Sequence, residues 1–259
     1  MNGLLEKLAE SARARSAKAQ VSEPLSSIKQ RLRRAEPVRP FRAALDDGPA
    51  PRLIAELKKA SPSRGVLREH FRPVELAREL ASAGAAALSI LTEEEHFQGS
   101  LMYLRQVRSV VSLPLLRKDF ILDEYEVYRS RLLGADAVLL IVALLSEKEL
   151  RNLLLAGREA GIDTLVEVHD EREAKIALAC GARLVGVNNR DLCNFAVTLD
   201  TSRRLASIFP QGLTRVCESG IHNREQVREL SAIGYRAFLV GEELMRHPKP
   251  GEALRGLRS

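Results

Sequence analysis

Glu56 and Lys58 stand two positions apart in Leu53-Ile54-Ala55-Glu56-Leu57-Lys58, an otherwise apolar run that breaks into Ser61-Pro62-Ser63-Arg64-Gly65. In a strand, residues i and i+2 share a face, so the carboxylate and the ammonium project together. Charge on an inward face is costly unless it is paired or used. Alone, the pair reads equally well as a structural ion pair at a strand end and as part of a reactive site. Other short apolar runs close in the same way: Lys118-Asp119-Phe120, Glu167-Val168-His169, Asn188-Asn189-Arg190-Asp191, Glu218-Ser219-Gly220 and Gly241-Glu242. Two lysines and at least two carboxylates converging on one mouth supply a general acid, a general base and an anion clamp, because proximity drives their pKa values apart. Such chemistry requires no cofactor. Schiff-base chemistry through Lys118 is open to it, as to any lysine in such a place. His70, His96, His169, His222 and His247 are scattered without metal-ligand spacing, so no metal is expected.

The elements that must bring these residues together follow from the spacing. From Leu53 onward, apolar runs recur at Ala86–Leu91, Pro114–Lys118, Ala137–Val142, Thr164–Val168, Leu184–Asn188, Thr214–Glu218 and Ala237–Gly241. Between them lie helix-period segments at Pro73–Ala83, Leu101–Val111, Glu124–Leu133, Glu147–Ala160, Glu171–Cys180, Thr201–Ser207 and Arg224–Ala232, with a last one near Pro250–Leu257. Several stop at a glycine, Gly84, Gly134, Gly161, Gly181 or Gly234, where a left-handed cap costs least. Strands alternating with helices in this way predict an α/β fold, an eight-stranded parallel (β/α) barrel of the TIM type. An open doubly wound sheet would show a Gly-rich dinucleotide turn after its first strand, where this chain has Ser-Pro-Ser-Arg-Gly. In a closed barrel the C-terminal strand ends share one face, and the site belongs there. Ser219-Gly220 and Gly241-Glu242 then fall where the last two loops offer backbone N–H groups to a phosphate, the competing reading being ordinary turn glycines. Glu242 would oppose a phosphate if its side chain faced inward, so a phosphate site needs backbone contact there.

Length and charge bound the rest. A chain of 259 residues, 45% hydrophobic, suits one large core. Its net charge is +6, but residues 1–52 hold 11 Lys and Arg against 6 Asp and Glu, leaving 29 against 28 in the remainder. The basic segment lacks aromatic interleaving apart from Phe41 and carries no nucleic-acid motif, so it reads as a solvated helical face and no nucleic acid is expected. Attraction of an anionic substrate is another use for it. The apolar runs are too short to span a bilayer and the N-terminus is charged, which points to a cytoplasmic protein without membrane contact. Cys180, Cys193 and Cys217 are odd in number and read as reduced thiols in or near the core. Two helices precede the repeating part: one carries Leu4, Leu5 and Leu8 and runs to about Lys18, and one starts at Pro24 and ends before Pro37. The expected organisation is an N-terminal helical extension, 1–45, packed on a barrel domain, 46–259.

These segments in this order closely resemble the indole-3-glycerol-phosphate synthase family. Ile54-Ala55-Glu56-Leu57-Lys58 with Ser61-Pro62-Ser63, Leu91-Thr92-Glu93 with Phe97-Gln98-Gly99-Ser100, and Leu116-Arg117-Lys118-Asp119-Phe120 carry the resemblance. So do Leu140-Ile141-Val142-Ala143, Val166-Glu167-Val168-His169, Gly186-Val187-Asn188-Asn189-Arg190-Asp191-Leu192, Glu218-Ser219-Gly220-Ile221 and Val240-Gly241-Glu242. The resemblance implies a carboxy-lyase of tryptophan biosynthesis acting on a phosphorylated small molecule; a monomer or weak homo-oligomer is expected. It implies Lys118 as general acid in ring closure and Glu167 as acid/base partner in dehydration. Glu56 and Asn188 would position the anilino part, and Lys58 would face the substrate's anionic groups. Arg190 would lie near the hydroxyls, Phe120 on the aromatic ring, Ser61 and Pro62 on a mobile first loop, and Ser219, Gly220, Gly241 and Glu242 at the phosphate. The chain departs from the pattern at Glu243, where many members have serine, and at His96, a position often aromatic. A phosphoribosylanthranilate-type isomerase and a non-catalytic barrel are the rival readings; the first lacks Lys-Asp-Phe, and the second would be expected to lose Glu56, Lys118 or Glu167.

Overall fold

The computed structural model describes residues 3–192 and 194–258. Helices α1 (Gly3–Ser22), α2 (Leu25–Leu32) and α3 (Phe41–Asp46) precede eight strands. These are β1 (Arg52–Leu57), β2 (Ala87–Leu91), β3 (Leu115–Lys118), β4 (Ala137–Ile141), β5 (Asp163–Val168), β6 (Leu184–Asn188), β7 (Thr214–Glu218) and β8 (Ala237–Val240). Neighbours in sequence are neighbours in space, every pair is parallel, and β1 pairs with both β2 and β8, so the sheet closes into the expected barrel. The outer helices are α4 (Pro73–Ser82), α5 (Leu101–Arg108), α6 (Glu124–Leu132), α7 (Glu147–Ala160), α8 (Glu171–Ala179), α9 (Asp200–Leu205), α10 (Arg224–Ala232), α11 (Glu242–Arg246) and α12 (Pro250–Arg258).

Alternation along the strands separates two packing layers and, with them, the site. Inward residues Ile54, Leu116, Leu139, Leu165, Leu184, Val216 and Leu239 fill the barrel, whereas their neighbours Ala55, Leu140, Val166, Val185, Cys217 and Phe238 pack beneath the helices. Advancing two positions along an inward row leads from Ile54 to Glu56, from Leu116 to Lys118, from Leu165 to Glu167 and from Val216 to Glu218. The charged residues are thus the next layer of the same row, above an apolar floor.

The loops entering the outer helices supply their caps. Asp123, Asp170 and Asn223 each accept a backbone N–H three residues on, and Ser146 forms a capping box with Glu149. At the other helix ends Gly84, Gly134, Gly161, Gly181 and Gly234 all take positive φ.

The N-terminal segment crosses the barrel from end to end. Helix α1 lies over the C-terminal mouth, where the Arg15 Nη2 atom donates to Asp119 Oδ1 at 3.0 Å. Helix α2 descends the side against α6, burying Ile28 and setting Lys29 Nζ 4.2 Å from the Tyr128 ring. Helix α3 closes the opposite end. Phe41 and Leu45 are fully buried in the barrel interior, Arg42 N donates to Asp163 Oδ2 at 2.8 Å, and Thr214 Oγ1 donates to Asp46.

Several details differ from the sequence expectation. Helix α1 continues to Ser22 instead of ending near Lys18, since nothing in Ala19-Gln20-Val21 breaks it before Pro24. Helix α3 was not expected, and it carries the 45/46 division of the chain within its last turn. The Ser-Pro-Ser-Arg-Gly stretch is the tip of a small antiparallel hairpin, Ala60–Ser61 against Gly65–Val66. Val142 leaves the β4 strand for a short 3-10 turn, Val142–Leu144. Cys180 and Cys217 are buried and free, while Cys193 and the Leu4 side chain lie outside the described residues.

Candidate active site

A cavity of about 230 Å³ opens at the C-terminal end of the barrel. Glu56, Lys58, Ser61, Pro62, Lys118, Phe120, Glu167, Asn188, Arg190, Ser219, Gly220, Gly241 and Glu242 all line it. Leu5 and Leu8 of α1 roof one side, and Phe97 and Phe120 form an aromatic wall with ring centroids 6.4 Å apart. An apolar wall over a charged floor suits a flat aromatic substrate bearing anionic groups.

At the centre, Lys118 Nζ lies 2.8 Å from Glu167 Oε2 and 3.3 Å from Glu218 Oε2. Burial alone would favour the neutral amine, but Glu167, Glu218 and Glu56 outweigh it and raise the lysine above its ordinary range. Glu167 moves the opposite way. Burial would raise its pKa, yet Lys118 and His169 hold it well below the usual carboxylate range. Asn188 Nδ2 also donates to Glu167 Oε1 at 3.1 Å, and Asn188 Oδ1 accepts the Arg190 backbone N–H. Glu218 is the contrasting carboxyl: burial first, then crowding by Glu167, pushes it up to about 7 against the pull of Lys118. Its Oε1 has no hydrogen-bond partner among the described residues. Two carboxyls flanking one ammonium are thereby set apart, one ionised and one able to carry a proton near neutrality. Glu218 was visible in sequence at a strand end without a role; the contacts that shift it come from three other strands.

Two glycines make room for this floor. A Cβ on Gly186 would fall 1.9 Å from Glu218 Oε1, and one on Gly241 would fall 2.3 Å from Glu56 Oε1. Neither has a positive φ, so close approach of a site carboxylate is what glycine provides there. Glu56 Oε1 itself sits 2.7 Å from Lys58 Nζ, the pairing expected from their spacing.

The corner carrying Lys118 is braced from behind. Arg117 points outward from β3 into a buried network, with Nη2 2.8 Å from Asp119 Oδ2 and Nη1 2.6 Å from Glu126 Oε2. Thr92 Oγ1 donates to Asp119 Oδ2 at 2.6 Å, and Asp119 Oδ1 takes Arg15 from α1 and the Phe120 backbone N–H. Removing one partner of such a network leaves a buried charge unpaired.

At the far rim, Ser219 and Gly220 both adopt positive φ, 65° and 81°. A serine held there is strained backbone of the kind found at ligand sites. Glu242 does face the cavity, and its charge is answered: Arg64 Nε lies 3.0 Å, Arg190 Nη2 3.1 Å and Arg246 Nη1 3.4 Å from its carboxylate. The rim remains net cationic around it. Glu243 pairs with His222 Nδ1 at 3.1 Å. Glu93, Glu95 and His96 bring three candidate ligand atoms together, but Glu93 accepts the backbone N–H groups of Glu95, His96 and Phe97 and faces Arg15 at 3.7 Å. That cluster clasps a loop.

Comparison with known proteins identifies the family and the fold. The family described as indole-3-glycerol phosphate synthase matches residues 5–257. An indole-3-glycerol phosphate synthase of Albidiferax ferrireducens is 46% identical over 257 residues, covering 98% of this chain and 97% of the relative. One of Carboxydothermus hydrogenoformans is 52% identical over 203 residues, 78% of this chain and 77% of the relative. Among solved structures, 3-hexulose-6-phosphate synthase from Salmonella typhimurium aligns with a TM-score of 0.65 at 12% identity, covering 80% of this chain and 96% of that one. Thiamine phosphate pyrophosphorylase from Pyrococcus furiosus aligns with a TM-score of 0.60 at 18% identity, covering 83% and 95%. At such identities the structures speak for the barrel alone.

Proposed function

The chain belongs to the indole-3-glycerol phosphate synthase family, and from that premise we propose that Lys118, Glu167 and Glu218 move the protons of its reaction. The reaction is a carboxy-lyase step of tryptophan biosynthesis. It converts 1-(2-carboxyphenylamino)-1-deoxyribulose 5-phosphate to indole-3-glycerol phosphate, carbon dioxide and water. The observation that carries the assignment is Lys118 Nζ held between Glu167 and Glu218, at 2.8 and 3.3 Å, on the cavity floor.

In this reading the ring carbon bearing the carboxylate attacks the ketone carbon while Lys118 gives its proton to the ketone oxygen. Ring closure suspends the aromaticity of the anthranilate part, and the positive charge that develops on nitrogen is stabilised by the surrounding carboxylates. Loss of carbon dioxide returns its bonding electrons to the ring. The new hydroxyl then leaves as water with a proton from Glu218, and Glu167 takes a proton from the adjacent methylene. Two protons are given and one is taken, matching the single proton the overall conversion consumes. Glu56 and Asn188 position the anilino part, Lys58 meets the substrate's anionic groups, and Phe120 stacks on the ring. Arg190 reaches the hydroxyls, Ser61 and Pro62 belong to the loop that covers the mouth, and Ser219, Gly220, Gly241 and Glu242 surround the phosphate. Phosphate contact at Glu242 is through the backbone, because its carboxylate is engaged with arginines.

We take residues 1–45 as the extension and 46–259 as the catalytic barrel, acting as a monomer or weak homo-oligomer. No helix among the described residues is long and apolar enough to cross a membrane, and a cytoplasmic location fits the pathway. The test uses the absence of tryptophan from the chain: indole fluorescence should grow on adding substrate with little protein background. Lys118→Ala and Glu167→Gln should each lose about a hundredfold or more in turnover while remaining folded; near-native turnover in both would remove the role assignment.

A further inference from the structure

Glu167 is held from two sides. Lys118 Nζ donates to Oε2 at 2.8 Å, and His169 Nε2 stands 3.2 Å from Oε1, within ion-pair distance but not aligned for a hydrogen bond. His169 is not among the residues lining the cavity. Its other ring nitrogen, Nδ1, lies 3.1 Å from Glu173 Oε2, and the same oxygen accepts the His169 backbone N–H at 2.8 Å. Glu173 is buried in the first turn of α8, where its own N–H is fixed to the Asp170 cap at 2.8 Å. An imidazole with a carboxylate at each nitrogen is best served as the doubly protonated cation.

That cation answers a problem posed by the chemistry. Once Lys118 gives up its proton, Glu167 faces a neutral amine, and a buried carboxylate without a counter-charge takes a proton back. The geometry points to His169, anchored by Glu173, as a positioning residue whose charge keeps Glu167 ionised during the step in which it must act as a base. It touches no substrate atom and works through Glu167, so the inference rests on the reading of Glu167 as the base. The charged groups facing His169 are Glu167 from β5 and Glu173 from α8; Lys118 of β3 and Glu218 of β7 lie beyond Glu167. Burial opposes the charge on His169, but the two carboxylates prevail and hold its pKa at about 10.

The test compares the parent with His169→Asn, Glu173→Gln and Glu167→Gln by pH profiles of kcat and KM, together with nitrogen NMR of the parent's imidazoles. His169→Asn should lower kcat about tenfold with KM within about threefold. Its acidic limb should move upward by about one pH unit, because Glu167 without its cation ionises less readily. Glu173→Gln should shift the limb in the same direction, less far, and serves if His169→Asn does not fold. The NMR should show both His169 nitrogens protonated at pH 8. A neutral His169 at that pH, or unmoved acidic limbs in both variants while Glu167→Gln is inactive, would overturn the inference. Near-native turnover in Glu167→Gln would instead overturn the reading of the base on which it stands.

Discussion

Glu218 sets a cost in stability against the proton-donor role proposed for it. Its native pKa of about 7 lies above the ordinary carboxyl value of 4.5. Between those values the folded chain binds more protons than the unfolded one, so this group's contribution is most favourable at low pH and is lost as pH rises toward 7. Replacing it with the neutral Glu218→Gln should therefore raise Tm at pH 8 by about 2 °C or more relative to the parent, with a smaller gain at pH 5. Turnover should fall at the same time by about tenfold or more. An equal Tm offset at the two pH values would show that its ionisation is not what costs stability. The types and places of Glu56, Lys118 and Glu167 were legible because each interrupts an apolar run at its end. The opposite pKa shifts of Glu167 and Glu218 were not, because both are glutamates closing similar runs. What separates them is His169, two residues on from Glu167, whose ring only the fold sets beside that carboxylate, together with Asn188 and Gly186 from the next strand.

At the scale of elements, the strand period does most of the positioning. Residues two apart on β1, β3, β5 and β7 pass from apolar filling to charge, which is why the strand ends could be read from sequence alone. The 60–66 hairpin and α3 could not be read that way: the first has two-residue strands, and the second shows only Phe41 and Leu45 at helical spacing among arginines and prolines. Gly186 is the place where an element and the site compete for the same volume. Gly186→Ala would put a methyl 1.9 Å from the present Glu218 Oε1 position, and the flexible carboxyl must turn away. Turnover should drop about tenfold with the barrel intact by circular dichroism. The same change at Gly256, where an added methyl meets nothing within 4 Å, should leave turnover as it is. Equal activity in the two variants would mean that the orientation of Glu218 is not set by the β6 backbone.

For the whole molecule, the N-terminal segment divides into a part over the mouth and a part that completes the core. Deleting residues 1–22 removes Leu5 and Leu8 from the cavity and Arg15 from Asp119 but leaves α3 seated. That variant should fold and show a Michaelis constant raised several-fold, consistent with basic and apolar cover over an anionic aromatic substrate. Deleting residues 1–45 also extracts Phe41 and Leu45, each fully buried, at about 2–5 kcal/mol apiece. It should abolish cooperative unfolding, a loss visible in a thermal scan. An unchanged Michaelis constant in the shorter deletion would remove α1 from any part in binding. The position of α3 also orders events during synthesis. Its partners are Asp163 and Thr214, and Arg236 donates to the Leu45 carbonyl, all far later in the chain. Phe41 and Leu45 therefore stay unhoused while the strands 121 to 191 residues further on are being made, an interval in which exposed apolar surface favours misassembly.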